Sequence, residues 1–452
     1  MKKTVTAVFD IGKTNKKFFL FDAEFQEVYR EYVQFDEITD EDGHPTEDLS
    51  ALRDWLKTVF DRMLKTEKYD IKAINFSSYG ASLVHLDENR DVIFPLYNYT
   101  KSIPQEIIDS FYEKYGPEED FHQKTGSSSS GMLNAGMQLY WLKNTKPEVF
   151  KKIRYSLHLP QYLSFVFTGI PLSEYTSIGC HTSLWDFEKR DYHDWVYAEN
   201  LDQILPPIVS TETSINMNYN GKRIKIGVGI HDSSAALLPY VRSLKNQFIL
   251  ISTGTWSIAL NPFVERTLSK KDVADDCINY MRINGKPVKS ARLFLGNEYS
   301  IQVKKLTKHY GVDKDYHKTV KFDPEIHYEI VKEFEKLFKW ESIDDPEMPE
   351  ETHLRYTSFE DAYHHLMMEL VLLQVESIKS AKGNMTIEKL FVDGGFSDND
   401  IYIHLLSHHF RTMELRTTDS SLGSALGAAI CISDTQLNSK FLKKNYSMKK
   451  HI

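Results

Sequence analysis

At 452 residues the chain is longer than one hydrophobic core usually organises, so two domains are expected. Apolar residues at 41% and charged residues at 26% give an ordinary globular composition, and a formal net charge of −9 excludes the basic surface that nucleic-acid partners require. That charge leaves small phosphate-bearing ligands open, because local backbone dipoles hold them rather than net charge.

Residues 5–9 read as a buried strand, then come a glycine-containing turn and a second strand at 18–22, and a third run at 27–35 completes a meander. Helical spacing and a proline-free interior predict a helix over 49–65. A strand at 71–77 ends in the small-residue turn Ser77, Ser78, Tyr79, Gly80. Residues 126–131 form a Ser/Gly-rich loop, and 137–144 have a helical pattern. A strand at 224–230 leads through His231, Asp232, Ser233 and Ser234 into a helix over 235–239. The second half opens as the first does, with an apolar strand at 247–252, the tight turn Thr253, Gly254, Thr255, and a returning strand at 256–260. This weak internal repeat implies two lobes of similar plan, 1–240 and 241–452. Residues 380–384 read as a short linker before a strand at 390–392. Alternation of strands and helices makes the class α/β. The charged, proline-punctuated stretch 314–351 carries no assignable role.

Cys180, Cys277 and Cys431 are far apart, match no metal-ligand spacing, and suit reduced thiols. The opening MKKTVTAVFDIG has no signal-peptide pattern, and no apolar run is long enough for a bilayer, so a soluble cytoplasmic protein is expected. Lys443, Lys444, Lys449 and Lys450 make a small basic tail, read as a solvated terminus.

Three turns have the chemistry of a phosphate or nucleotide site. In the first, Gly12 permits close backbone approach, Thr14 and Asn15 add donors, and Lys17 or Lys16 adds positive charge. Asp10, at the preceding strand end, stands where Mg²⁺ needs a carboxylate. The plainer alternative is a hairpin turn rich in turn formers. Thr253, Gly254 and Thr255 repeat the pattern. Gly394 and Gly395, after a buried strand, let a flat group lie against backbone, with Asn399 to bond a base or sugar edge. There the alternative is a strand-to-helix connection capped by Ser397 or Asp398. Asp232 is placed to take a proton from an attacking hydroxyl, or else only to cap its helix. His231 beside it either touches a ligand or is structural.

Taken in order, these motifs resemble the FGGY carbohydrate kinase family over nearly the whole chain. Asp10 to Lys17 resembles its first phosphate motif, and Gln138 to Lys143 its N-terminal signature, with glutamine where lysine is usual. Pro160, Gln161, Tyr162 and Leu163 with Thr168 and Gly169 resemble its Pro-Asp-Tyr-Leu…Thr-Gly segment, and residues 174–186 the stretch that follows. His231 and Asp232 occupy the catalytic-base position, Thr253 to Thr255 the second phosphate motif, and Gly394, Gly395 and Asn399 the adenosine motif. Residues 421–429 resemble the closing small-residue helix.

The resemblance implies two ribonuclease-H-like (actin-like ATPase) lobes with a cleft between them, Mg²⁺-ATP as donor, and a ketose or polyol as acceptor. It implies Asp232 as base and, at the sugar, Ser78, Tyr79, Gly80, Tyr99 and His231. The motifs are nearest the L-fuculokinase and L-rhamnulokinase branches, which phosphorylate the 1-hydroxyl of 6-deoxyketohexoses; xylulose and ribulose are further acceptors. Residues 97–101 lack the acid of the common sugar clamp, which tilts the reading to L-fuculose, whereas Ser82 stands where both branches carry aspartate. Tyr99 either covers the apolar face of a deoxysugar or packs under a loop. The expected partners are a sugar and ATP, with no nucleic acid and no membrane, and a homodimer is allowed for. The rival readings are an actin-like ATPase and a kinase-derived sugar-binding regulator.

Overall fold

In the computed structural model, which describes residues 2–419 and 422–451, β1 (Lys3–Ile11), β2 (Lys16–Asp22) and β3 (Glu27–Val33) form an antiparallel meander. Helix α1 (Leu49–Lys65) follows with the predicted bounds. Asp48 caps it by accepting from Ser50 N and Ala51 N, and its buried stripe of Leu52, Leu56, Val59, Phe60 and Met63 recurs at three- and four-residue steps. β4 (Tyr69–Ser78) pairs parallel with β1. Residues 83–209 are inserted after it and pack around Phe111, Trp141 and Trp195; they include α2 (Ala135–Thr145). β5 (Ser214–Tyr219) and β6 (Lys222–Gly227) then return to the sheet, whose order is β5-β6-β4-β1-β2-β3. The strand expected over 224–230 is interrupted at 228–229: β6 ends at Gly227, and the separate β7 (Ile230–His231) pairs with Ser77 and Ser78 at the end of β4.

Helix α3 (Asp232–Ser243) follows at once and runs through Pro239, four residues beyond the expected end. Proline has no N–H for the carbonyl four residues back, which is that of Ala235. Residue 240 therefore lies within this helix, and the second sheet starts at β8 (Phe248–Thr253). β9 (Ser257–Asn261), β10 (Cys277–Met281) and β11 (Pro287–Leu293) continue antiparallel, with α4 (Leu295–Tyr310) and α5 (Phe359–Lys382) next. β12 (Lys389–Gly394), α6 (Asp400–His409), β13 (Glu414–Thr418), α7 (Gly423–Cys431) and β14 (Lys449–Lys450) complete the chain, giving the order β10-β11-β9-β8-β12-β13-β14. In both sheets a first strand is flanked by its own antiparallel hairpin on one side and by parallel strands on the other. The internal repeat is therefore topological.

Residues 380–382, expected in a linker, belong to α5, where Val375, Ile378 and Ala381 keep the buried stripe going. The 314–351 stretch contains a 3₁₀ turn, Tyr316–Lys318, and a short α-helix, Pro324–Lys332, capped by Asp323. Beyond it Leu337, Phe338, Trp340 and Ile343 are buried in the core of the second lobe. Two buried carboxylates strap it down: Glu369 accepts from Leu337 N (2.6 Å), and Glu298 accepts from Ser342 N and Oγ (2.7 Å each).

The lobes share a core. Val8, Phe19, Ala235, Leu238, Leu250, Phe391, Ala425 and Ala429 pack together, with α3 and α7 at the centre. Asn75 on β4 reaches across to donate to Ala428 O on α7 (2.8 Å).

Candidate active site

Strand alternation sorts the charges of the first turn. Asp10 is opposite Lys17 in the β1–β2 register and opposite Ser77 on β4. Lys17 Nζ lies 3.9 Å from Asp10 Oδ2, whereas Lys16 points the other way, pairing with Glu47 and donating to Lys13 O (2.8 Å each). Lys17, not Lys16, is therefore the lysine beside Asp10. Gly12 N donates to Asn15 O (3.0 Å) to close the turn, and Asn15 Oδ1 accepts from Gln34 (2.7 Å) while Thr14 is exposed. Burial pushes the Asp10 carboxyl up to about 6, with the Asp232 charge adding to the rise; Lys17 and the Ser424 hydroxyl, which donates to Oδ1 (2.9 Å), oppose it.

The two turns of the second lobe form one unit. Thr253 Oγ1 donates to Asp393 O (2.6 Å) and accepts from Phe396 N (3.0 Å), and Thr253 O accepts from Gly395 N (3.0 Å). Gly394, at φ +89°, sits where a Cβ would fall 2.0 Å from Thr253 O. Gly254, Thr255, Gly395, Phe396 and Asn399 border a cavity of about 330 Å³, and Gly296, Asn297, Tyr299 and Ser300 at the start of α4 close it. Sequence reasoning missed those four, whose only signal was a glycine at a helix start. The side chain of Asn399, expected to bond a base or sugar edge, is engaged elsewhere. Its Oδ1 caps α6 by accepting from Tyr402 N (3.0 Å), the part foreseen for Ser397 or Asp398, and its Nδ2 donates to Tyr363 OH (2.9 Å).

Asp232 is the first residue of α3, and the cap position belongs to His231. All its recorded contacts fall on Oδ1: Ser233 N (2.5 Å), Ser233 Oγ (3.2 Å) and His231 Nε2 (3.2 Å). Among the described residues no bond engages Oδ2, and the side chain keeps 36% of its exposure. Burial of the carboxyl raises it to about 6 against the Ser233 hydrogen bonds. Asp232 opens on a cavity of about 240 Å³ whose far wall is Leu250, Ser252, Tyr280 and Asp393 of the second lobe, with Ser424 at its edge. Since Ser424 also bonds Asp10, the two carboxylates meet in one crevice between the lobes.

Tyr79 OH donates to Glu47 (2.7 Å), and the Tyr79 ring lies edge-on to Tyr99, centroids 6.1 Å apart. Burial, together with the Asp232 and Glu47 charges, pushes the Tyr99 hydroxyl up. Gly80 packs on Cys180 and His231. Burial drives His231 down to about 3, so the ring is neutral, and among the described residues its buried Nδ1 has no partner. Ser78, expected at the sugar, is fully buried and donates to Ile11 O (3.0 Å), so its role is in the sheet. His158, which sequence reasoning passed over, is buried with neither ring nitrogen bonded among the described residues, and is pushed down to about 4 by burial and by His231. Gln138 donates to Ala81 O, tying α2 to the loop after β4, and to Met132 O just before α2 (2.6 Å each).

Models of the FGGY family of carbohydrate kinases match the chain twice, the N-terminal domain over residues 5–237 and the C-terminal domain over 245–327. The chain belongs to the FGGY family of carbohydrate kinases. Among relatives of this FGGY chain are the rhamnulokinase of Oceanobacillus iheyensis, 25% identical over 204 residues (42% of this chain, 41% of the relative), and that of Halalkalibacterium halodurans, 23% identical over 260 residues (55% and 52%). The chain thus spans about half the length of the curated relatives it matches. A crystal structure of a carbohydrate kinase from Novosphingobium aromaticivorans shares the FGGY fold with a TM-score of 0.79 at 23% identity, covering 98% of this chain and 95% of that one. That fold comprises two actin-like, ribonuclease-H-like lobes. The part of the closing motif at Ser421 lies outside the described residues; Leu422 is the cap of α7, and 423–429 lie within it. Among the described residues no helix is long and apolar enough to cross a membrane.

Proposed function

We propose that this chain transfers the γ-phosphoryl group of ATP to a hydroxyl of a small uncharged sugar, with Asp232 as general base. The observation that carries this reading is the carboxylate of Asp232, held through Oδ1 and lining the interlobe cavity whose Ser424 also bonds Asp10. A base fixed through one oxygen presents the other to the incoming hydroxyl. Its raised proton affinity suits a group that must accept a proton near neutrality.

Residues 1–240 act as the lobe that carries the sugar and the base, and 241–452 as the nucleotide lobe. Gly12, Thr14, Asn15 and Lys17 on one side and Gly254 and Thr255 on the other hold the phosphates, with the adenosine in the cavity formed by α4, Gly395 and the start of α6. Thr253 and Asn399 act indirectly, by fixing the turn and the wall. Mg²⁺, implied by the family, is assigned to Asp10, whose carboxylate suits an ion that keeps most of its waters and lies within range of the Asp232 charge. Bound with the nucleotide, the ion would neutralise charge developing on the transferring phosphoryl oxygens.

We place the acceptor beside Tyr79, Tyr99 and His231, whose side chains are uncharged, with the Glu47 carboxylate behind Tyr79 paired to Lys16, which favours a neutral ketose or polyol over a sugar acid. Tyr99 offers an apolar face to a 6-deoxy methyl group, so we assign the acceptor to the 6-deoxyketohexoses, phosphorylated on the 1-hydroxyl. The two rhamnulokinase relatives add weight to L-rhamnulose beside L-fuculose. A coupled ADP-release screen over 6-deoxyketohexoses, ketopentoses and polyols with Mg²⁺-ATP tests this. Turnover is expected with a 6-deoxyketohexose; no ADP release with any acceptor would replace the kinase by a sugar-binding regulator.

A further inference from the structure

The second lobe carries a cavity of about 610 Å³ that shares no lining residue with the nucleotide cavity or the crevice at Asp232. The turn after β9, the turn between β10 and β11 and the end of α5 meet around it. Phe263 and Met385 supply an apolar wall, and Arg266, Arg282, Lys289 and Lys382 supply positive charge, against one lining carboxylate, Glu265.

Lys289 is 1% exposed, and its ammonium donates to Asp272 Oδ1 and to Ser380 O (2.5 Å) in the last turn of α5. Arg266 holds the other oxygen of Asp272 (2.8 Å), so one carboxylate serves both cations. An ammonium has three N–H donors, and among the described residues the third of Lys289 has no acceptor. Gly383 leaves it uncovered, since even an added Cβ there would stay 3.9 Å from Nζ. Arg282 is half-buried; among the described residues its side chain makes a single hydrogen bond, to Pro262 O (3.2 Å), and no ion pair. Glu265, the acid whose charge reaches it, is taken by Lys286 (2.5 Å). Burial weighs against the Arg282 charge more than Glu265 supports it. The negative end of α5 explains why Lys289 and Lys382 gather there, but not Arg282. Its last carbonyls are moreover already met, by Lys289, Asn261 Nδ2 and Met385 N.

We propose that this cavity is a second anion site, which binds the phosphate group of a small molecule through the Arg282 guanidinium and the Lys289 and Lys382 ammonium groups. Three cations round one opening suit a dianion better than a single carboxylate, and a guanidinium fork matches two phosphoryl oxygens. Free phosphate and a phosphorylated sugar offer that same group; the wall of Phe263 and Met385 has room for the organic part of the sugar. The site lies outside the crevice and does not depend on the phosphotransferase reading.

Calorimetric titration with fructose 1-phosphate and, separately, inorganic phosphate tests this, with the crevice filled by Mg²⁺ and the non-hydrolysable analogue AMP-PNP. One site with a Kd of about 0.1–1 mM is expected, and no binding of unphosphorylated fructose in its place. Arg282→Met and Lys382→Met should each weaken binding about tenfold or more, whereas Lys443→Met, the same charge change on the C-terminal tail, should leave it within about twofold. Fructose 1-phosphate bound about tenfold more tightly than phosphate would assign the apolar wall to the sugar; equal affinities would make free phosphate the ligand, and either result supports the site. No saturable binding of either anion up to about 10 mM overturns the inference, as does binding that Arg282→Met and Lys382→Met leave unchanged. Thermal melting checks that the variants fold, and if Arg282→Met does not, Lys382→Met decides.

Discussion

The Ser424 hydroxyl donates to Asp10 Oδ1 across 2.9 Å, joining the first strand of the chain to its last long helix. This bond steadies the ionised form of a carboxylate that burial pushes up to about 6. Ser424→Ala removes a contact that lowers the Asp10 pKa, so that pKa rises further. If ionised Asp10 is the active form, the acidic limb of the kcat/KM profile must move to higher pH. At pH 6 the variant should lose several-fold more kcat/KM than at pH 8, where about twofold or less is expected. A pH–rate profile of both proteins checks this, and a limb that stays in place or moves to lower pH contradicts it.

Asp232→Asn keeps the shape of the side chain and the Oδ1 contacts but removes the proton acceptor. Turnover should fall by about 10²- to 10⁴-fold, with ATP affinity, measured by calorimetry, nearly unchanged. The stability change has the opposite sign. A carboxyl whose folded pKa lies above its unfolded value of 3.8 binds protons more tightly when folded, so its ionisation costs stability as pH rises through about 6. The asparagine variant should therefore melt higher than wild type at pH 8, and the difference should shrink toward pH 4. A variant with near wild-type turnover removes Asp232 as the base.

How much of this was legible depends on what kind of information each position carries. Helix α1 could be read to its ends because an apolar stripe, an Asp48 cap and a basic last turn all agree locally. Asp10 and Asp232 could be singled out because carboxylates at strand and helix ends next to turns are chemically conspicuous. Ser78, Thr253 and Asn399 were assigned to ligands because a hydroxyl or amide in a turn can bond chain or substrate equally well, and only the fold shows that theirs engage the chain. Gly296 and Asn297 contribute shape, and shape has no sequence motif. In 314–351 the charges masked Leu337, Phe338, Trp340 and Ile343, apolar anchors without helical or strand periodicity.

Thr253 holds the two turns of the nucleotide lobe together through a single hydroxyl. Thr253→Val preserves volume but leaves Asp393 O and Phe396 N without that partner. An unmade buried hydrogen bond costs about 1–3 kcal/mol, and the loosened turn passes part of that to the nucleotide. The Kd for ATP should rise about tenfold, equivalent to about 1.4 kcal/mol, while the KM for the sugar stays within about twofold. Calorimetric titration with ATP and sugar kinetics separate the two, and an effect on the sugar alone would show that the turn does not serve the nucleotide.

Gly427 on α7 lies against the Ala235 carbonyl of α3, where an added Cβ would fall 1.8 Å from the oxygen. Two features of the sequence create this approach: Pro239 supplies no N–H to that carbonyl, and the small residues of α7 let the helices close. The atom in the way is backbone, so Gly427→Ala cannot be relieved by a rotamer change and must part α3 from α7. Overpacking of this kind costs about 3 kcal/mol, and urea unfolding should show it as a lower midpoint. Because α3 starts at Asp232 and α7 carries Ser424, the separation should also lower kcat more than it raises either KM. A Gly427→Ala variant as stable as wild type would mean that the helices meet less closely than 1.8 Å implies; one destabilised but with unchanged kcat would mean that the crevice is held by the strands rather than by this helix pair.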